Sequence, residues 1–282
     1  MSRPKIALTL GDVNGIGPDI AAKVWQRLEK DFPADVVLVG DYGQFLRACR
    51  TVGVDACPMV SIDAEVTENG DGSVVFLDLA DVDPHQVTVG QGSIVGANAA
   101  VSALFKAVEL AEEGVVQAVV YGPMQKESLF AAGYRAKDDL QLLSDRLGWT
   151  GWCGEINVVG PLWTARVTSH IPLRDVASSL SVDGIIETAR NLWEVMAKAG
   201  VEKRRIVVAA LNPHGGDGGL FGDEEIKIIT PAVARLKEEG IDVTGPVPAD
   251  ALFLRAFAGE FNGVVAMYHD QTAPISLLGG AS

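Results

Sequence analysis

Three of the four histidines in this 282-residue chain stand just past apolar, strand-like runs. His214 follows the run 206–211 in the loop Asn212-Pro213-His214-Gly215-Gly216, His170 follows 165–169, and His269 follows 263–268. In α/β sheets ligands bind beyond the carboxyl ends of strands. Three neutral imidazoles gathered at such an edge would make a metal site with coordination positions left open for a substrate. The plainer alternative is that each histidine caps a strand or fills a loop. The glycines around His214 permit positive φ and close approach of backbone to a ligand, while Asn212-Pro213 bars helix at the turn itself. Lys126 stands past a fourth run, 117–121, where a lysine could donate to a carboxylate or handle a proton, or simply lie exposed at a helix start. His85, set between proline and polar residues, reads as a solvated loop residue. Cys49, Cys57 and Cys153 fit no metal spacing and read as reduced and structural.

The elements that must position these residues alternate along the chain. Strands are expected at 5–10, 36–40, 74–77, 117–121, 156–159, 164–169, 205–211 and 264–268, with a short extended piece at 242–245. Helices are expected from 18 to about 30, and at 41–52, 93–114, 138–147, 172–179, 182–199, 224–239 and 249–258. In 93–114, Ala99, Ala103, Ala107 and Leu110 keep helical spacing. The stretch 58–90 is less regular, and 156–169 reads as a hairpin that delivers His170. Strand-helix alternation predicts a doubly wound α/β architecture with mostly parallel strands. The seam is placed near 135, giving lobes 1–135 and 136–282, the second carrying the three histidines. After the first strand, Gly11-Asp12-Val13-Asn14-Gly15-Ile16-Gly17-Pro18 raises a dinucleotide fingerprint, but its spacing is not Gly-x-Gly-x-x-Gly, which favours a plain turn.

A formal net charge of −14 argues against nucleic acid and anionic membranes as partners. No apolar run approaches a membrane span and the N-terminus carries no signal-peptide core, so a cytoplasmic protein is expected. A composition of 48% apolar residues indicates a folded rather than a disordered chain.

Six motifs in order give the chain a family resemblance. They are Gly11-Asp12 with Gly15-Ile16-Gly17-Pro18; Gly122-Pro123 with Lys126; Ser169-His170-Ile171-Pro172-Leu173-Arg174-Asp175; Asn212-Pro213-His214 with Gly219-Leu220-Phe221-Gly222; Pro248-Ala249-Asp250; and Met267-Tyr268-His269-Asp270-Gln271. Together they resemble the 4-hydroxythreonine-4-phosphate dehydrogenases of pyridoxine biosynthesis. The resemblance implies an isocitrate- or isopropylmalate-dehydrogenase-like fold of two α/β/α lobes with the active site between them. It implies NAD or NADP as cofactor and a homodimer with the site shared across the interface. It also implies a divalent metal on His170, His214 and His269, with the third histidine supplied by the partner subunit. Zinc is the first expectation, with cobalt, manganese or magnesium as alternatives. Catalytic roles fall on Lys126 and Asp250, and the expected reaction is oxidation of a secondary alcohol of a hydroxy acid, with decarboxylation where a β-keto acid results.

Three departures bear on the substrate. Where the family has Gly-His-Thr-Glu facing the substrate phosphate, this chain has Asp138-Asp139-Leu140-Gln141. Carboxylates there repel a phosphate dianion unless a cation intervenes; Asp138 and Asp139 are taken as substrate-binding, and in the variant that acts on a diol dicarboxylate Lys126, Arg135 or Lys137 would have to pair with the substrate's carboxylates. The family's substrate lysine falls on Ser276 or Leu277. The chain ends at Ser282, where the family continues through further substrate and cofactor residues, so no cofactor-binding residue is assigned. The alternatives are a dehydrogenase of a non-phosphorylated diol carboxylate, resembling terephthalate dihydrodiol dehydrogenase, and a non-catalytic relative that binds metal and a small acid.

Overall fold

The computed structural model describes residues 3–28, 32–57, 59–60 and 74–272. The far end of the first expected helix, most of 58–73, and Ser276 and Leu277 lie outside them. Two compact units are found, Met1–Leu147 and Gly148–Ser282.

The first unit runs β1 (Lys5–Thr9), α1 (Gly17–Arg27), β2 (Asp35–Gly40), α2 (Tyr42–Val52), β3 (Met59–Val60), β4 (Val74–Asp78), α3 (Ile94–Glu112), β5 (Ala118–Val120), α4 (Lys126–Ala131) and α5 (Asp139–Leu147). Its sheet has the order β3-β4-β2-β1-β5, with every ladder parallel. All six residues of β2 are buried, as expected of a strand covered on both faces. Strand periodicity divides them: Val36 and Leu38 pack with Ala21 and Ala22 of α1 and Phe45 and Ala48 of α2. Val37 and Val39 pack with Ala103 and Ala107 of α3. Among the described residues α3 is the one helix with the length and apolarity of a membrane span. Its burial against the sheet accounts for that composition. Local signals set the helix ends: Asp41 Oδ1 accepts from Gln44 N at 2.9 Å and Ser93 Oγ from Gly96 N at 3.0 Å, each as an N-cap.

The glycine loop after β1 is tied by side-chain hydrogen bonds within itself and to the start of α3. Asp12 Oδ1 accepts from Asn14 N at 2.9 Å, and Asn14 Nδ2 donates to Gln91 O and to Ser93 Oγ at the start of α3. A Cβ on Gly17 would meet the Leu10 carbonyl oxygen at 2.0 Å, so the turn is also sterically closed to other residues.

Cys49 and Cys57 are buried and Cys153 is exposed, all three free. Burial, reinforced by the neighbouring Cys49, pushes the Cys57 thiol up to about 12. A thiol reagent at pH 8 is therefore expected to label one cysteine quickly in the native protein and three after unfolding. Two fast thiols in the native state would contradict that environment.

The second unit runs β6 (Ile156–Val159), β7 (Leu162–Arg166), α6 (Val176–Ser179), α7 (Val182–Lys198), β8 (Ile206–Ala209), α8 (Thr230–Glu238), β9 (Val243–Val247), α9 (Ala249–Phe257) and β10 (Gly263–Ala266). Its sheet has the order β6-β7-β10-β8-β9, parallel throughout except for the β6–β7 hairpin. Ile206, Val208 and Val265 pack under α7 and α8, and Val207, Ala209 and Val264 under α9, so helices again cover both faces. Two expected helices are broken. The segment 224–239 begins with a π turn, Glu225–Ile229, before α8, because Pro231 cannot supply a helical N–H donor. The segment 172–179 divides into a 3-10 turn, Leu173–Asp175, and the short α6. The extended piece at 242–245 is a full parallel strand, β9.

A candidate metal edge and a candidate substrate cavity

Sheet topology brings the histidine loops together. Since β10 pairs in parallel with β7 on one side and β8 on the other, and β8 with β9, four carboxyl ends stand side by side. His170 follows β7, His269 follows β10, His214 follows β8, and Asp250 opens α9 just after β9.

The backbone at two of these histidines is unusual. Among the described residues four non-glycines adopt positive φ: Ala80, His170 (54°), His214 (54°) and Asp217. A left-handed residue with a Cβ costs roughly 1–2 kcal/mol. Such conformations persist where the surroundings over-determine them, and they concentrate at functional sites. His214 begins a run of five left-handed residues that ends at Gly218, with φ of 54°, 66°, 77°, 44° and 67°. Glycines at 215, 216 and 218 make that run sterically tolerable.

Buried side chains tie the loops to one another. Thr168 Oγ1 donates to Met267 O at 2.7 Å, linking the His170 and His269 loops. Gln271, 6% exposed, accepts from Met267 N and donates to Ala210 O, both at 2.7 Å, linking the His269 and His214 loops. Glu225, 3% exposed, accepts from Leu211 N (2.8 Å), Asn212 N (2.7 Å) and Asn212 Nδ2 (2.9 Å). Burial by itself would raise its pKa, but the hydrogen bonds from Asn212 and Leu211 outweigh it and hold the carboxyl below the usual range. The sequence offered no signal for these ties, since strand pairing creates them.

The rings of His170 and His269 lie 5.8 Å apart, centroid to centroid, and tilted by 38°. They border a cavity of about 250 Å³ shared with Ser169, Ile171, Tyr268 and Asp270. With metal–nitrogen bonds of about 2.1 Å, two imidazoles on one tetrahedral ion would hold their centroids roughly 5 Å apart, so this pair fits a single ion with little adjustment. Asp270 Oδ1 lies 2.9 Å from His269 Nδ1. With the proton on Nδ1, this contact leaves Nε2 as the free lone pair and orients the ring. His214 stands on the neighbouring strand end with its ring 6.4 Å from that of Phe221. Among the described residues no group of three or more His, Cys, Asp or Glu side chains stands close enough to hold a metal ion. Asp250 Oδ1 accepts from Ala251 N at 2.9 Å in the first turn of α9.

Lys126, Asp138 and Asp139 belong to the first unit, where they line one cavity of about 220 Å³ with Phe130, Tyr134 and Lys137. Asp138 also has a structural role that the sequence reading missed. Its Oδ1 accepts from Gln141 N while Gln141 Oε1 accepts from Lys137 N, both at 2.9 Å, capping α5 reciprocally. The signal was present as Asp-x-x-Gln, a variant of the capping box. Asp139 Oδ2 is 3.5 Å from Tyr121 Oη. Burial, then the Asp139 and Asp138 charges, raise the Tyr121 pKa. Of the cations considered as partners for a substrate's carboxylates, Lys126 and Lys137 line the cavity. Arg135 is held elsewhere, over the Phe130 ring at 4.3 Å and donating to Phe130 O.

The model of a protein family described as pyridoxal phosphate biosynthetic protein PdxA matches residues 33–279. The chain belongs to the PdxA family. A relative named putative 4-hydroxythreonine-4-phosphate dehydrogenase 2, from Rhizobium meliloti, is 41% identical over 95% of this chain and 77% of its own length. The crystal structure of 4-hydroxythreonine-4-phosphate dehydrogenase from Klebsiella pneumoniae superposes with a TM-score of 0.86 at 33% identity, covering 98% of this chain and 84% of that one. A terephthalate 1,2-cis-dihydrodiol dehydrogenase from Burkholderia xenovorans superposes with a TM-score of 0.68 at 25% identity, covering 97% and 82%. Membership in the PdxA family makes the protein a dehydrogenase acting on a CH–OH group, with the isocitrate-dehydrogenase-like α/β fold that its motifs led one to expect. A dehydrogenase of the PdxA family implies a nicotinamide cofactor.

Proposed function

We propose that this PdxA-family protein oxidises the secondary alcohol of a small hydroxy acid with NAD or NADP, assisted by a divalent metal, zinc before cobalt, manganese or magnesium. The observation that carries this reading is the pair of strand-end histidines held in left-handed backbone, His170 and His214. One chain supplies His170 and His214, and the partner copy supplies the third histidine, His269, in a homodimer. Ile171, Leu173, Leu220, Phe221 and Ile226 are exposed around the same edge, an apolar surface of the kind a partner subunit covers. Bound there, the ion supplies Lewis acidity at the alcohol oxygen and the nicotinamide supplies the hydride acceptor. The chain's own part is to hold the imidazoles, to orient His269 through Asp270, and to take up the alcohol proton, for which Asp250 and Lys126 are the proposed groups. Such an enzyme would work in the cytoplasm, in pyridoxal phosphate biosynthesis or a reaction of the same chemistry.

By kinship the substrate is a phosphorylated hydroxy acid of the class its relatives are named for. A second reading rests on the first-unit cavity, where Lys126 and Lys137 are matched by Asp138 and Asp139. That balance offers no net positive charge to a phosphate dianion and favours a non-phosphorylated acid. A thermal-shift panel with cofactor and metal present tests this. A ligand at about 100 times its Kd adds about 2.7 kcal/mol of stability, enough to move the midpoint by several degrees. The charge balance predicts the larger shift with non-phosphorylated acids; a larger shift with 4-phosphooxy-threonine would return the substrate to the phosphorylated class. No NADH formation with either class, under any of the four metals, would refute the dehydrogenase reading.

A further inference from the structure

We infer that Glu225 is a positioning residue for His214, clamping the left-handed loop that presents the imidazole. The inference rests on the reading of His214 as a metal ligand. The carboxylate is 3% exposed, and a buried charge is costly unless its oxygens are hydrogen-bonded. Leu211 N, Asn212 N and Asn212 Nδ2 donate to it from the segment entering the loop. On the other side of His214 the same carboxylate abuts Gly216, where an added Cβ would meet Glu225 Oε2 at 2.8 Å. One side chain is therefore hydrogen-bonded to the chain before His214 and packed against it after. A second carboxylate, Glu224, holds only the Asn212 side chain, through Oε2 at 2.7 Å.

The clamp explains how a run of five left-handed residues keeps one shape. His214 and Asp217 each carry a Cβ at positive φ, and without an external hold the loop would relax toward ordinary backbone. Glu225 is itself fixed at the start of the π turn Glu225–Ile229, an irregularity found frequently at functional sites. A glutamine is nearly the same size and can keep its carbonyl oxygen on the two backbone N–H groups, but its NH₂ group would then face the Asn212 Nδ2 donor. Aspartate keeps the charge but falls one methylene short of the same set of donors.

The test is cobalt(II) titration of the intact protein, read by the visible d–d bands and by Kd, in the native sequence, Glu225→Gln, Glu225→Asp and His214→Ala. The expected result for Glu225→Gln is folded protein with a shifted band and a cobalt Kd raised about 10- to 100-fold, the range for loss of a group that orients a ligand. A merely structural role would lower the thermal midpoint without moving the band. If folded Glu225→Gln keeps the native band and Kd while His214→Ala loses them, the positioning inference is overturned and the metal site stands. If the native protein shows no histidine-type cobalt spectrum, the ligand reading fails and this inference with it. Should Glu225→Gln not fold, Glu225→Asp decides in the same way, and a native cobalt Kd and band in that variant would overturn the clamp.

Discussion

His214→Ala is expected to fold normally and to lose both its divalent ion and its activity. The ring is solvent-exposed in a surface loop, so no core contact goes with it and the change in stability should stay within about 1 kcal/mol. Losing a direct ligand should weaken the metal by more than the roughly 100-fold seen for outer groups. Lewis-acid assistance contributes several kcal/mol to an alcohol oxidation, and each 1.36 kcal/mol is tenfold in rate. A fall in kcat/KM of about a thousandfold or more follows. His170→Ala should behave in the same way, whereas His85→Ala, in an exposed loop of the first unit that carries none of the proposed ligands, should change nothing. The measurement is metal content per chain beside the thermal midpoint. A folded His214→Ala protein that retains stoichiometric metal would remove His214 from the site.

The largest expected loss of stability comes from a single methyl group. Gly17→Ala places a Cβ 2.0 Å from the Leu10 carbonyl oxygen and 3.4 Å from Pro123 Cδ. Neither neighbour is free to retreat. Leu10 N donates to Val39 O, and Asp12 N to Pro123 O at 2.9 Å, so this backbone is pinned to β2 and to the loop after β5. Alanine would gain about 1 kcal/mol of helix propensity at the start of α1. Overpacking against a mobile side chain costs about 1–3 kcal/mol; against fixed backbone we expect 4 kcal/mol or more, a large fraction of the roughly 5–15 kcal/mol that holds a typical native protein. Gly114→Ala and Gly200→Ala are the controls. Both have positive φ, 75° and 80°, but nothing within 4 Å of the new Cβ, so only the conformational cost of about 1 kcal/mol applies. Urea midpoints rank the three, and a Gly17→Ala protein as stable as Gly114→Ala would refute the steric account.

The parts of the molecule legible in the sequence are those written in local pattern. Apolar runs ending in histidine marked β7, β8 and β10, and helical spacing marked α3 and α7. That these strands are adjacent, which sets the His170 and His269 rings 5.8 Å apart, is a property of sheet order that no local window carries. The π turn before α8 was hidden because its residues keep the apolar spacing of the helix that follows; only Pro231 hinted at the break. Asp138 was read for its charge alone, although Gln141 three residues on announced a cap. Gln271 and Glu225 gave no warning, because a buried polar side chain is identifiable only once the backbone it serves has been built around it. The left-handed backbone at His170 escaped notice because no glycine stands there.

In the second unit β10, the last of the described strands along the chain, sits in the middle of the sheet, between β7 and β8. While a ribosome is still making this half of the molecule, β7 and β8 have no common neighbour, and the slot between them stays open until residue 266 has emerged. The turn bearing His269 and Gln271 therefore arrives after the loops bearing His170 and His214, and it joins two loops that have until then been independent. Nascent chains halted before that point should leave the loops bearing His170 and His214 unjoined.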